Sequence, residues 1–289
     1  MKPIYINKNK VAILLSCYNG ERYLHELIHS IIHQSYQDYT LYIRDDGSTD
    51  STFSILQTYE CDNIVLFPQS RNLGSKHSFL YMMSNVDSDY YMFCDQDDVW
   101  MNSKIEKSLR TIQEIEHRNP LKPTIVHTDL RLVDGNMNVI ANSYWDYNKV
   151  PFEINHKYEY LCHFNDITGC AMIFNKIARE FSLPYASIDM PRHLYHDSLI
   201  GLIVAKNYGV IYPLKEQKIW FRRHDSNETN PLIHNKSVFY QPFRIMSWLI
   251  EQYKRFQFYN QIKPDLFTTF IYNKILVSIK IKQWKKKHV

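Results

Sequence analysis

Residues 11–17 (VAILLSC) form an unbroken apolar run of strand length, which predicts a strand buried on both faces. Past Asn19-Gly20, apolar residues fall at Leu24, Leu27, Ile28, Ile31 and Ile32. That is the i, i+3, i+4, i+7, i+8 stripe of an amphipathic helix. The alternation then repeats. TLYIR (40–44) predicts a strand ending in DDGSTD (45–50), and Asp50 or Ser51 supplies a cap for a helix through about Tyr59. NIVLF (63–67) is the next strand, followed by an RNLG loop, an apolar-striped segment to about Val86, and the strand YYMFC (90–94). A helix from Asn102 to about His117 carries Ile105, Leu109, Ile112 and Ile115 on one face.

Strands alternating with helices through four units predict an α/β fold, a mostly parallel sheet flanked by helices. In such sheets ligands collect at the carboxyl ends of the strands, and DDGSTD, RNLG and DQDD (95–98) all fall there. The first turn, CYNGERYL, lacks G-x-G-x-x-G, and no Walker A sequence occurs, so phosphates would need another holder. Beyond about residue 124 the alternation weakens. TIVHTDLRLVDGNMNVIA predicts two strands around an Asp-Gly turn, GCAMIF (169–174) a strand, and DSLIGLIVAKNYG an apolar helix ending at Gly209. GVIYP and KIWFRRH predict two short strands, and from about Ser237 the pattern is helical. The chain thus divides into a domain over 1–236 and a helical extension over 237–289 with a basic tail.

Composition narrows the setting. A chain of 289 residues suits one large domain, or one with an appendage. Its five cysteines are odd in number and form no C-x-x-C pair, which argues against a disulfide framework or a zinc site and fits a reducing compartment. The first residues show no signal-peptide cleavage pattern, and no apolar stretch reaches the roughly 18 to 20 residues of a membrane span. The expectation is a cytoplasmic protein. Net charge is only +4, but no acid follows Asp265, while Lys274, Lys280, Lys282, Lys285, Lys286 and Lys287 accumulate. Such a tail suits nucleic acid, an anionic membrane, or solvent alone.

The densest chemistry is YYMFCDQDDVW, where a buried strand ends in Asp95, Asp97 and Asp98. Clustered carboxylates at a strand end suit a hard divalent cation such as Mg²⁺ or Mn²⁺, which would replace the absent phosphate loop. The same residues could instead cap the next helix and favour its dipole. Likewise Asp45 and Asp46 could simply form a turn with Gly47.

Taken in order, VAILLSCYNGERYLHELIHSIIHQSYQDYTLYIRDDGSTDST, RNLG, YYMFCDQDDVW, ITGCAMIF, YHDSLIGLIVA and FRRHDSN resemble the family-two glycosyltransferases of the GT-A fold. The likeness covers roughly residues 10 to 230. Within the family, D-Q-D-D-x-W and R-x-H-x-x-N are similar to stretches of bacterial rhamnosyltransferases of surface-polysaccharide assembly. The resemblance implies that Cys17, Tyr18 and Glu21 line the base and ribose of a nucleotide sugar. It implies that Asp45 and Asp46 receive base or ribose hydroxyls, with Asn72 and Lys76 beside the diphosphate. Asp95 then faces the sugar or ribose, Asp97 ligates the metal, and His224 completes the metal site. Thr168 and Gly169 flank the acceptor, and Asp197 falls where the family carries its catalytic base. Arg222 and Arg223 compete for one substrate-facing role. Two departures stand out: Cys17 replaces a small hydroxyl residue, and His196-Asp197 replaces Glu-Asp. The Q-x-x-R-W motif of processive synthases is absent, which argues for single additions.

The expected activity is therefore an inverting, metal-dependent transfer of L-rhamnose from dTDP-L-rhamnose to a lipid-linked saccharide at the inner membrane face, with a UDP-hexose as the alternative donor. A metal-dependent phosphotransferase or hydrolase would need a nucleophilic Asp at the first strand end, where Cys17-Tyr18-Asn19 stands. A non-catalytic sugar- or nucleic-acid-binding protein would not need DQDD, Asp197 and His224 together, and the core lacks the basic stripe that nucleic acid requires.

Overall fold

The computed structural model describes residues 5–6, 10–69, 71–153, 156–191, 194–224, 227 and 242–288. The first half contains β1 (Tyr5–Ile6), β2 (Val11–Cys17), α1 (Leu24–Ile32), β3 (Tyr39–Asp45), α2 (Thr52–Gln57), β4 (Ile64–Leu66), α3 (Ser75–Asn85), β5 (Val86–Asp87) and β6 (Tyr90–Asp95). There follow β7 (Val99–Trp100), α4 (Lys104–Arg118), β8 (Thr124–Asp134), β9 (Val139–Ala141), α5 (Tyr144–Tyr147) and α6 (Tyr158–Leu161). The last third holds β10 (Met172–Asn175), α7 (Lys176–Ser182), α8 (His196–Lys206), β11 (Val210–Arg223), α9 (Pro242–Ile262) and α10 (Phe267–Lys287).

Among the described residues the main sheet runs β4-β3-β2-β6-β10-β8-β11-β7, with β9 paired to β8, while β1 and β5 pair separately. β4, β3, β2 and β6 are mutually parallel, as expected. β10 is antiparallel to both β6 and β8, so β8 runs in the same direction as β6, and β11 runs parallel to β8. The consequence is geometric. The ends of β2, β3, β6 and β11 and the start of β10 all emerge at one edge of the sheet.

Two cores cover the two faces. Along β2, Ala12 and Leu14 face one core, with Phe79, Phe93, Phe174 and Leu199, while Val11, Ile13, Leu15 and Cys17 face the other, with Leu27, Ile31, Ile105 and Ile112. The period-two alternation of an all-apolar strand feeds both. On α1, Leu24, Leu27, Ile28 and Ile31 are buried, but Ile32 lies at the rim, 39% exposed.

Several expected boundaries shift. GVIYP and KIWFRRH are one strand, β11, in which irregular pairing between Leu214 and Gln217 and between Gln217 and Trp220 absorbs the polar Lys215-Glu216 step. The first three residues of GCAMIF form a 3₁₀ turn, with the Ala171 N–H donating to the Thr168 carbonyl, and only then does β10 begin. Asp50 rather than Ser51 supplies the side-chain oxygen at the start of α2, accepting the Thr52 N–H at 3.0 Å. α8 begins at His196 with Tyr195 at its N-cap, which puts Asp197 in the first turn.

The division at 236/237 lies outside the described residues. α9 and α10 bring Phe258, Tyr259, Ile262 and Phe270 into the same core as α8, and the Tyr158 hydroxyl donates to the Tyr259 carbonyl at 2.7 Å. Among the described residues no helix is long and apolar enough to cross a membrane.

Phe93 joins sheet to helices: its ring meets Phe79 and Phe174 at centroid distances of 5.2 and 5.3 Å and the His196 ring at 4.5 Å. Phe93→Ala should lower the unfolding free energy by about 3–5 kcal/mol in urea denaturation. A loss under about 1 kcal/mol would contradict this packing.

Candidate active site

At the common edge, parallel pairing sets Cys17 opposite Asp45 and Ser16 opposite Asp95. The Cys17 side chain is fully buried in the core, and that burial, with Asp45 nearby, drives its thiol pKa well up. Its sulfur therefore belongs to the core and not to the exposed sheet edge. Tyr18 is exposed, and its peptide is held on both sides by Gln96: the Tyr18 N–H donates to Oε1 at 2.8 Å and the Tyr18 carbonyl accepts from Nε2 at 2.9 Å. Gly20 makes room for this clasp, since a β-carbon there would stand 2.3 Å from Gln96 Oε1. Glu21 accepts the Ser51 N–H at 2.9 Å, tying the first turn to DDGSTD.

Asp45 and Asp46 are both buried. Asp45 accepts from the Ser48 N–H and hydroxyl, the turn geometry its neighbour Gly47 allows at φ 81°. Asp46 forms an ion pair with Arg44 and accepts the Leu73 N–H at 2.8 Å, which binds RNLG to the strand end. Asn72 accepts the Gly74 N–H at 2.9 Å, and the Lys76 ammonium donates to the Pro191 carbonyl at 3.2 Å.

Asp97 and His224, 127 residues apart in sequence, meet with Oδ2 and Nε2 at 2.8 Å. Asn227 fixes the pair, donating to Asp97 Oδ2 at 2.9 Å and accepting the His224 N–H at 2.6 Å. Asp95, Asp98 and Cys170 bring one potential ligand atom each within 4.8 Å of one another. Asp98 is buried beneath them and accepts the Arg222 N–H at 3.1 Å. Burial, then the charges of Asp97 and Asp95, push its pKa well up. Lys104, also buried, stands with its ammonium 3.3 Å from the Trp100 ring centroid, and burial lowers its pKa to about 8.

Strand alternation separates the two arginines. Arg222 is buried, its guanidinium paired with Glu26 and 4.2 Å from the Tyr23 ring centroid, whereas Arg223 points to the opposite face and is half-buried. Across the edge, Asp197 Oδ2 accepts the Gly169 N–H at 2.9 Å, while Oδ1 accepts the Ser198 N–H and hydroxyl. Burial raises the Asp197 pKa to about 6 against these hydrogen bonds. Its neighbour His196 packs between Phe79 and Phe93, and burial drives its pKa to about 3, so it is a neutral aromatic filler. A β-carbon at Gly169 would lie 2.8 Å from His196 Nε2, so only glycine leaves that ring its space.

The edge thus gathers Asp97 with His224 and Asn227, Asp95 with Asp98 and Cys170, and Asp197 with Gly169, next to Thr168. Gln96, Glu26, Cys170 and Lys104 were given no role by sequence reasoning. Gln96 lies inside DQDD, and only the close approach of Gly20 marks its function. Asn227 ends R-x-H-x-x-N, but its bond to Asp97 depends on a fold-level contact.

The family model for Glycosyl transferase family 2 matches residues 12–181, more than half of the chain. This chain belongs to glycosyltransferase family 2. An uncharacterized glycosyltransferase of Haemophilus influenzae is 26% identical over 245 residues, covering 80% of this chain and 73% of that protein. A Bacillus subtilis relative, TuaG, bears the name of a teichuronic acid biosynthesis glycosyltransferase and is 32% identical over 109 residues, 37% of this chain and 43% of its own. The matched stretch spans about two fifths of the length of TuaG and of a second B. subtilis relative, EpsE. Among solved structures, residues 1–349 of Staphylococcus aureus TarS superpose with a TM-score of 0.58 at 15% identity, covering 97% of this chain and 92% of that one. The Pyrobaculum calidifontis mannosyltransferase PcManGT gives 0.55 at 14% identity, over 99% of this chain and 74% of that one. These likenesses establish the GT-A architecture.

A raised carboxyl pKa has a defined linkage sign. The unfolded carboxyl ionises near pH 3.9 and the folded Asp197 near 6, so its ionisation costs stability that is absent at low pH and develops as pH rises between them. Asp197→Asn should therefore gain on the parent from pH 4 to pH 7, by on the order of 1–2 kcal/mol in urea denaturation at each pH. A pH-independent difference would contradict a raised pKa.

Proposed function

We propose that this glycosyltransferase is inverting and depends on Mg²⁺ or Mn²⁺, that its donor is dTDP-L-rhamnose, and that its acceptor is a lipid-linked saccharide at the inner membrane face. What carries the reading is the division of the sheet edge into two carboxylate settings: Asp97 beside His224, and Asp197 beside Gly169. The first setting fits a cation, because a carboxylate oxygen and an imidazole nitrogen stand 2.8 Å apart on half-buried side chains, with Asp95 on the adjoining strand end. The PcManGT complex with GDP-Man and Mn²⁺ supports cation use in this fold. When bound, the cation offsets charge on the departing diphosphate.

Asp97 and His224 would hold that cation, kept in position by Asn227, while Asp95 faces the sugar or ribose. Tyr18, Glu21, Asp45 and Asp46, with the Cys17 backbone, would border the base and ribose. Asn72, Lys76 and one arginine of the Arg222-Arg223 pair would lie toward the phosphates and substrate. Asp197 takes the proton from an acceptor hydroxyl, its carboxylate oriented by the Gly169 and Ser198 N–H groups. The acceptor oxygen then attacks the anomeric carbon from the side opposite the leaving diphosphate, and the configuration inverts. Thr168 and Gly169 form the floor beside that hydroxyl. The domain of 1–236 would carry the chemistry. The extension of 237–289 would bring Lys280, Lys282 and Lys285–Lys287 to an anionic leaflet, at about 1 kcal/mol per basic residue near the surface.

Rhamnose as the sugar rests on the likeness of DQDDVW and RRHDSN. A UDP-sugar donor is the second reading, favoured by the S. aureus TarS complex with UDP-GlcNAc. A panel of nucleotide sugars with Mg²⁺ or Mn²⁺, read by thermal stabilisation and nucleotide release, tests both. The expected result is a response to dTDP-L-rhamnose that vanishes in chelator and weakens ten- to hundredfold or more in Asp97→Ala. Undiminished donor affinity in excess chelator would sink the cation requirement, and a response confined to UDP-sugars would replace rhamnose.

A further inference from the structure

β8 carries a histidine that the sugar-transfer site leaves without work. His127 has no solvent exposure, and neither of its ring nitrogens has a hydrogen-bond partner. A buried polar group left in that state is destabilising, because it has given up water without gaining a partner. Two further groups converge on it. His156 Nε2 lies 3.0 Å from both carboxylate oxygens of Asp166, and Asp166 Oδ2 lies 3.9 Å from His127 Nε2. The two imidazole rings are nearly perpendicular, their centroids 5.6 Å apart. One donor atom from each of the three residues falls within 4.8 Å of the others.

We propose that His127, His156 and Asp166 bind a divalent zinc-class cation, at a site distinct from Asp97 and His224. A tetrahedral zinc with bonds of about 2.0–2.2 Å sets its ligand atoms roughly 3.3 Å apart. The observed separations of 3.0 and 3.9 Å bracket that value, so closure needs only small side-chain shifts. Two imidazoles with one carboxylate suit zinc and its neighbours, whereas the carboxylate-rich sheet edge suits Mg²⁺ or Mn²⁺. A simple His156–Asp166 hydrogen bond would leave His127 with nothing. The cation supplies its partner, and a water or another small ligand fills the fourth position. The cysteine pattern could not announce such a site, since it uses no sulfur.

The site also has a mechanical position. It ties β8 and the segment at His156 to Asp166, two residues before Thr168 and three before the Gly169 N–H that holds Asp197. A bound cation would fix the loop that orients Asp197, whichever sugar the enzyme transfers.

The test adds Zn²⁺ alone to the tag-free, metal-stripped full chain and follows calorimetric binding, thermal stability and, after cobalt substitution, visible absorption. One equivalent per chain should bind to the parent and to Asp97→Ala. Affinity should fall at least about a hundredfold in His156→Ala and in Asp166→Asn, both of which should melt near the metal-free parent when stripped. The exposed His29–His33 pair on α1, with ring centroids 4.0 Å apart, is the competing adventitious site, and His33→Ala should leave the tight equivalent intact. Absence of a tight equivalent, its persistence in both His156→Ala and Asp166→Asn, or its loss in His33→Ala or Asp97→Ala would overturn the proposal.

Discussion

The parallel ladders of β2 with β3 and β6 fix where every functional loop begins. Both faces of β2 are buried in separate cores, so a register slip of one residue would exchange the side chains meant for each. That penalty locks Cys17 opposite Asp45 and Ser16 opposite Asp95, and hence the points at which DDGSTD and DQDD leave the sheet. The antiparallel insertion of β10 then restores the direction of β8 and β11, which returns His224 to the same edge. Without that reversal Asp97 and His224 could not meet.

At this edge the protein gives its carboxylates different surroundings. Asp46 is paired with Arg44, and burial together with the charges of Asp97 and Asp95 raises the proton affinity of Asp98. Asp97 keeps a polar, half-open setting beside His224 and Asn227. Asp197 is buried, so its proton affinity is raised, but the Gly169 and Ser198 N–H groups still orient it. In the proposed reaction this separation is the point: one carboxylate serves charge on the donor side, and the other has a pKa near working pH, where a general base is most effective.

Much of this was legible in the sequence because it depends on local periodicity. The runs at 11–17 and 90–94 and the stripes of α1 and α4 announce the parallel half, and the quoted motifs announce the family. The later half was harder. β11 reads as two strands because Lys215 and Glu216 interrupt its apolar pattern, and pairing with β8 overrides that interruption through two irregular steps. The need for glycine at 169 follows from the space taken by His196, a contact between residues 27 positions apart. Side-chain partners were the least legible of all. That Gln96 clasps Tyr18, that Arg222 turns to Glu26, and that His127 meets His156 and Asp166 are products of tertiary packing with no local signature.

The claim at the centre is that donor-side and acceptor-side carboxylates are separate devices on one edge. Its most direct measurement compares Asp197→Asn with the parent in both donor binding and single-turnover sugar transfer, at saturating acceptor. The account predicts donor and cation affinity equal to the parent, with transfer slowed by on the order of 10²- to 10⁴-fold. Transfer within about threefold of the parent, or a loss of donor affinity that accounts for the whole defect, would contradict it.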